Sequence, residues 1–268
     1  MKKVFLIFLL LLFLSFQVSL SQNKIDRSKK ELKAAKEEPE TKKRTTADDR
    51  KEMPLVGKVF MYMTWGVFKY VVIGNYNSEE HLGNYVNRHP FQEQTLGNYT
   101  ALKKERNFQF LVSENLLYSN SNLFANRLTL KYRPFSHFYF KTDFHQLFER
   151  NPISHTQDQL SLFQFNLMYD RIRFQEFNFG WNIGLTYIGN DIKQAGLNLG
   201  IHFDTFLIKN ISFSGDLNWS SMNSIPVNTY TFKGNYHFRK NVCSFGFEHL
   251  KIGTPQYNFV TLGIGHYF

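Results

Sequence analysis

Residues 259–268 read FVTLGIGHYF, with Phe268 the last residue of the sequence. Successive side chains of a β-strand point to opposite faces. Val260, Leu262, Ile264, His266 and Phe268 therefore share one face, and Phe259, Thr261, Gly263, Gly265 and Tyr267 share the other. The first face is mostly apolar. The second carries polar, small or aromatic groups. Such a segment predicts a strand that is wet on one side and greasy on the other.

The same two-residue period recurs upstream. In 177–187, Phe177, Phe179, Trp181, Ile183, Leu185 and Tyr187 alternate with Asn178, Gly180, Asn182, Gly184 and Thr186. Leu128, Leu130 and Tyr132 alternate with Arg127, Thr129, Lys131 and Arg133, and Leu197, Leu199, Ile201 and Phe203 with Asn198, Gly200, His202 and Asp204. Strict alternation over such lengths argues for strands rather than helices. The pattern predicts ten: 107–118, 124–133, 136–148, 159–170, 175–188, 194–207, 210–220, 228–238, 241–251 and 258–268. Most approach the ten or so residues that a tilted membrane-spanning strand needs. The links near Pro134, Phe174, Lys209 and Lys240 read as short. Those near Pro152, Asn190, Met222–Pro226 and Pro255 read as longer, which predicts an even, up-and-down arrangement.

A C-terminal strand ending in Phe268, with Leu262, Ile264 and His266 on the same face, resembles the closing strand of the outer-membrane β-barrels of Gram-negative bacteria. The resemblance covers 105–268. It implies an all-β, transmembrane, antiparallel up-and-down barrel of about ten strands. It also implies that outer-membrane lipids and the barrel-assembly machinery are partners, the latter reading Leu262, Ile264, His266 and Phe268. In that family the C-terminus lies in the periplasm. Backbone chemistry agrees, because an unpaired amide in hydrocarbon costs several kcal/mol and only helices or closed sheets span.

The start of the chain fits export. Lys2 and Lys3 precede an apolar run from Val4 to Phe16, and Ser19-Leu20-Ser21 offers a small-residue cleavage site. Residues 1–21 read as a signal peptide. Residues 22–53 carry no aromatic residue and alternate acids with bases, too polar to fold alone. They read as a charged periplasmic linker, helical around 28–38, with the N-terminus periplasmic. Residues 54–104 read as an extension at the membrane boundary or barrel mouth, with 58–73 a short apolar helix or a pair of added strands. Partner binding in the envelope is assigned to 22–104. The lone Cys243 excludes an internal disulfide.

The net charge of +10 is spread over the chain, with no basic helix or RNA-binding aromatic motif, so no nucleic-acid partner is expected. No cofactor and no metal site is expected either. The inward faces hold Arg127, Lys131, Arg133, Lys141, Asp143, His145, Asp170, His202, Asp204, Asp216, Lys233, His237 and Glu248. Most simply they form an ion-pair network that fills a narrow barrel, because buried charges need partners. Two pairs at i, i+2 spacing are the catalytic candidates: Asp143 with His145, and His202 with Asp204. A carboxylate beside an imidazole can orient it for proton transfer. The leading functional expectation is a structural or complex-anchoring barrel, more a non-enzyme than an enzyme. The alternatives are a lipid- or peptide-modifying enzyme with a lumen Asp/His site, and a narrow porin or transporter.

Overall fold

Alternating side chains require a partner strand on each edge, and the chain supplies all of them itself. The computed structural model describes residues 23–37, 69, 74, 85–91, 95–101, 108–151 and 155–268. The signal peptide, the rest of the 22–53 linker and nearly all of the 58–73 run lie outside these residues. Two short strands, β1 (Tyr85–Val86) and β2 (Tyr99–Thr100), pair with each other. Ten long ones follow: β3 (Gln109–Asn120), β4 (Leu123–Arg133), β5 (Phe138–Arg150), β6 (Gln157–Arg173), β7 (Phe177–Ile188), β8 (Gln194–Ile208), β9 (Ile211–Met222), β10 (Ile225–Phe238), β11 (Asn241–Ile252) and β12 (Gln256–Tyr267). Each pairs antiparallel with the next, and β12 returns to β3 to close a barrel. All ten lie where the alternation puts them. β6 runs past the expected end at 170 because a bulge between Asp170 and Ile172 keeps it paired to β7.

The outer face is apolar. Leu128, Leu130, Tyr132, Phe140, Ile183, Leu185, Leu197, Leu199, Phe232, Phe245, Leu262 and Ile264 all stand exposed on it. Soluble monomers rarely show such a continuous greasy surface. Surrounded by hydrocarbon, it is the surface of a spanning barrel.

Connections 134–137, 174–176, 209–210 and 239–240 lie at the end that holds Phe268; 121–122, 151–156, 189–193, 223–224 and 253–255 lie at the other. The link expected to be long at 222–226 is instead a two-residue turn. Asn223 and Ser224 both adopt positive φ (48° and 67°), the twist-matched hairpin geometry. β9 and β10 consume the residues assigned to the loop. The contrast between short and long links is therefore weaker than the sequence suggests.

Each end is filled by residues that precede the barrel. Helix α1 (Lys24–Glu37) sits in the mouth opposite Phe268. Its buried stripe is Ile25, Ser28 and Leu32, one side of a helix at i, i+3, i+7. Ile25 and Leu32 join an apolar cluster of inward residues that includes Leu117, Leu147, Leu160, Ile188, Val227, Leu250 and Phe259. Fully burying two such side chains stabilises by about 3–6 kcal/mol before ordering costs. The charged segment thus folds against the barrel rather than alone. Residues 85–91 and 95–100 occupy the other mouth, with Gln109 Nε2 donating to Asn87 O at 3.2 Å and Phe91 packing on Phe206 at 5.9 Å. Sequence reasoning put both the linker and Phe268 on the periplasmic side. The structure sets α1 and Phe268 at opposite ends, so for residues 24–37 those two expectations exclude each other.

Candidate functional site

Inward positions of the strands build the lumen in two zones. Near α1 it is apolar, as above. Toward Phe268 it is polar and densely bonded. Bare inward glycines make the polar zone possible. In the register, Gly180 on β7 stands between Asp170 on β6 and His202 on β8. With no side chain there, His202 Nε2 reaches Asp170 Oδ1 at 2.5 Å. Gly184 lets Asn198 Nδ2 donate to Asn166 Oδ1 at 2.6 Å, and Gly200 lets Asn182 Nδ2 donate to Asn218 Oδ1 at 2.9 Å. Gly263 separates Asn115 from Ser244 in the same way. A Cβ on Gly180 would lie 2.8 Å from the His202 ring, and one on Gly184 would overlap Asn166 Oδ1.

The candidate pairs of the sequence share the lumen face but take other partners. His145 Nε2 lies 2.8 Å from Glu248 Oε1, not on Asp143. Arg127 ion-pairs with the same Glu248 and donates to Thr231 Oγ1 at 3.1 Å. Asp143 accepts from Thr129 Oγ1 at 2.6 Å and lies 3.5 Å from Lys141 Nζ, which also meets Asp216 at 2.8 Å. His202 turns to Asp170 rather than Asp204, and Asp204 accepts from Asn98 Nδ2 at 3.3 Å. Asp170 is the hub of the lower cluster. It takes the Tyr99 hydroxyl, His202 and, at 3.2 Å, Arg133, whose guanidinium lies 4.1 Å from the centre of the Tyr139 ring. Two separate networks therefore stand where the sequence proposed two Asp/His pairs. Each imidazole is held by a carboxylate on a strand that is not its neighbour.

One contact escaped sequence reasoning. Ser212 Oγ and His237 Nε2 are 2.8 Å apart on β9 and β10, and Asn235 Nδ2 donates to Ser212 Oγ at 3.2 Å. The register pairs Asn235 with Ser212, which places His237 one inward position further on. Only the register reveals this. His237 Nδ1 has no hydrogen-bond partner among the described residues. Among the described residues no cluster of three or more His, Cys, Asp or Glu side chains could hold a metal ion.

A cavity of about 80 Å³ lies in the polar zone, lined among others by Arg127, Lys131, Lys141, Asp143, Asp216 and Lys233.

No protein-family model matches the chain, and no curated protein matches it. Among solved structures, an outer membrane channel from Pseudomonas putida F1 aligns with a TM-score of 0.37 and 6% identity, over 62% of this chain and 97% of that one. LpxR from Salmonella typhimurium aligns with a TM-score of 0.36 and 7% identity, over 60% of this chain and 88% of that one. The chain is a closed ten-stranded barrel. Its own architecture makes it one: a sealed sheet, apolar outside and polar within, as in outer-membrane barrels.

Proposed function

We propose that this protein is a sealed outer-membrane β-barrel with a structural or envelope-anchoring role, rather than an open channel. The observation that carries this reading is the filling of both mouths by the chain's own residues. α1 is fixed in one by hydrogen bonds from Lys24 N and Ile25 N to Glu149 and from Thr254 N to Glu31. Residues 95–100 are fixed in the other by Tyr99 on Asp170 and Asn98 on Asp204. Between them lie the ion pairs, the apolar cluster and a cavity of about 80 Å³. Open aqueous lumens belong to barrels of more strands.

α1 then presents Arg27, Lys30 and Lys33 outward from its mouth as an attachment face. A photo-crosslinking residue in place of Lys33, in native envelopes, tests the anchoring role. The expected result is one discrete cross-linked species, lost when Ile25→Asp undocks the helix. A smear of unrelated species would count against it.

A hydrolytic reading has one specific footing, the Ser212–His237 contact, a nucleophile and base within bonding reach. It is the weaker of the two because no carboxylate among the described residues orients His237 through Nδ1. Labelling of the folded protein by a fluorophosphonate, abolished in Ser212→Ala and retained in Ser214→Ala, would favour it.

A further inference from the structure

We propose that the outer wall of the barrel seats one anionic glycerophospholipid, with an acyl chain over Gly234 and its phosphate on Lys209, Arg239 and Lys240. Among the described residues, two strand glycines face outward, Gly215 and Gly234. Both sit among aromatic neighbours. The Phe203 ring lies over Gly215 and fills its place. Nothing fills the place above Gly234, where a Cβ would meet no atom closer than 3.6 Å. Across the sheet Gly234 pairs with Phe213 on β9 and Phe245 on β11, and along β10 it lies between outward Phe232 and Tyr236. Four rings thus wall a bare floor. Two apolar cavities, of about 350 and 300 Å³, open over it and share Gly234 and Phe245, so they form one groove. Neighbouring strands lie about 4.8 Å apart, which makes the floor about one hydrocarbon chain wide.

The groove leads to the turns at the Phe268 end. Its last row is Ile211, Tyr236 and Cys243, which are register partners. Lys209 comes just before Ile211, Arg239 just after Tyr236 and Lys240 just before Cys243, and all three are exposed. From Phe232 to Arg239 the strand runs about 24 Å, or about 18 Å of depth at the usual barrel tilt. That is close to one leaflet of a hydrocarbon core about 30 Å thick. Long basic side chains lay their stems on apolar surface at such a boundary and hold their charge in the headgroup layer. Among the described residues none of the three is ion-paired. The described acids at this rim are Glu176, two strands away, and the chain terminus at Phe268, while Asp204 faces the lumen and takes Asn98. A phosphate diester matches the basic turns and brings its own acyl chain to the groove. A glycolipid with a sheaf of chains is too broad for a floor bounded on both sides by Phe213 and Phe245.

The site rests on the barrel spanning a membrane. The test is native mass spectrometry of the detergent-extracted protein, titrated with dimyristoyl phosphatidylglycerol or dimyristoyl phosphatidylcholine. The expected result is one phosphatidylglycerol bound at least tenfold more tightly than phosphatidylcholine. Gly234→Leu, whose side chain fills the groove, should weaken phosphatidylglycerol at least tenfold. Lys209→Gln, Arg239→Gln, Lys240→Gln together should bring phosphatidylglycerol down to the level of phosphatidylcholine. Heat-modifiable migration shows which variants are folded, and Gly234→Val replaces the leucine variant if that one is not. Equal affinity for the two lipids in the wild type, undiminished binding in the folded glycine variant, or tighter retention of lipid A than of phosphatidylglycerol would each overturn the site. So would a dimer that Gly234→Leu dissociates, since a second copy would then occupy the groove. Release of the protein from native membranes by alkaline carbonate would remove the spanning barrel and the site together. A carbonate-resistant barrel with no preference for phosphatidylglycerol would remove the site alone.

Discussion

His202 is joined to Asp170 across the bare backbone of Gly180, two strands being bridged over a third. The arrangement repeats at Gly184, Gly200 and Gly263. It lets short polar side chains form ties along the barrel wall that ordinary cross-strand neighbours cannot make. Gly180→Ala should therefore push His202 off Asp170 and leave a buried carboxylate and imidazole poorly matched. The expected cost is about 1–3 kcal/mol in urea unfolding from lipid vesicles. A substitution to alanine at outward Gly234, whose Cβ would meet nothing closer than 3.6 Å, should cost far less. Equal losses at the two positions would remove the role given to Gly180.

Glu248 anchors the upper network, and its loss should be more damaging than its replacement together with Arg127. Glu248→Gln leaves Arg127 charged and uncompensated in the lumen. Breaking a buried pair from one side costs about 3–5 kcal/mol. The paired Arg127→Met, Glu248→Met protein should recover much of that. Urea midpoints of the two single variants and the double variant decide the matter.

The alternation at 177–187 and 259–268 made the barrel legible, because lipid outside and packed polar groups inside impose opposite demands on neighbouring residues. Lumen chemistry was legible only as a set of residues. His145 and Glu248 are more than a hundred residues apart and face each other only once the sheet closes, so no local spacing could pair them. The docking of α1 was hidden for another reason. Its buried stripe has just Ile25 and Leu32 as apolar members, and the barrel supplies the rest of its apolar surroundings.

Glu149 caps α1 from outside the helix, accepting from Lys24 N at 3.0 Å and Ile25 N at 2.7 Å. Glu149→Ala should loosen the helix by about 1 kcal/mol, typical of a lost N-cap. Trypsin cleavage at Arg27 and Lys30 should quicken while the barrel keeps its heat-modifiable migration in detergent gels. Unchanged cleavage would mean the cap does not hold α1.

Docking of α1 should also weaken in acid. Burial alone would raise the Glu31 carboxyl, but hydrogen bonds from Thr254 and Arg27 outweigh it and hold it below the ordinary 4.5. A lowered folded value means the contribution is complete above the ordinary range and is lost as pH falls through that lowered value. Amide exchange at Ile25–Leu32, corrected for intrinsic rates, should accelerate below pH 4.5. Glu31→Gln should flatten that dependence.

Orientation in the membrane follows from two single cysteines in a Cys243→Ser background. If the Phe268 end faces the periplasm, Lys33→Cys is labelled by an impermeant maleimide on intact cells. Lys240→Cys is then labelled only after the outer membrane is permeabilised. The reverse pattern places α1 on the periplasmic side.

Ion conductance tests the sealed barrel most directly. The protein, shown to be folded in vesicles by heat-modifiable migration and resistance to carbonate extraction, is fused into planar bilayers under applied voltage. A lumen closed by α1, by residues 85–91 and 95–100 and by the networks between them predicts a flat trace without unitary steps. Steady, reproducible steps from the intact chain would contradict it.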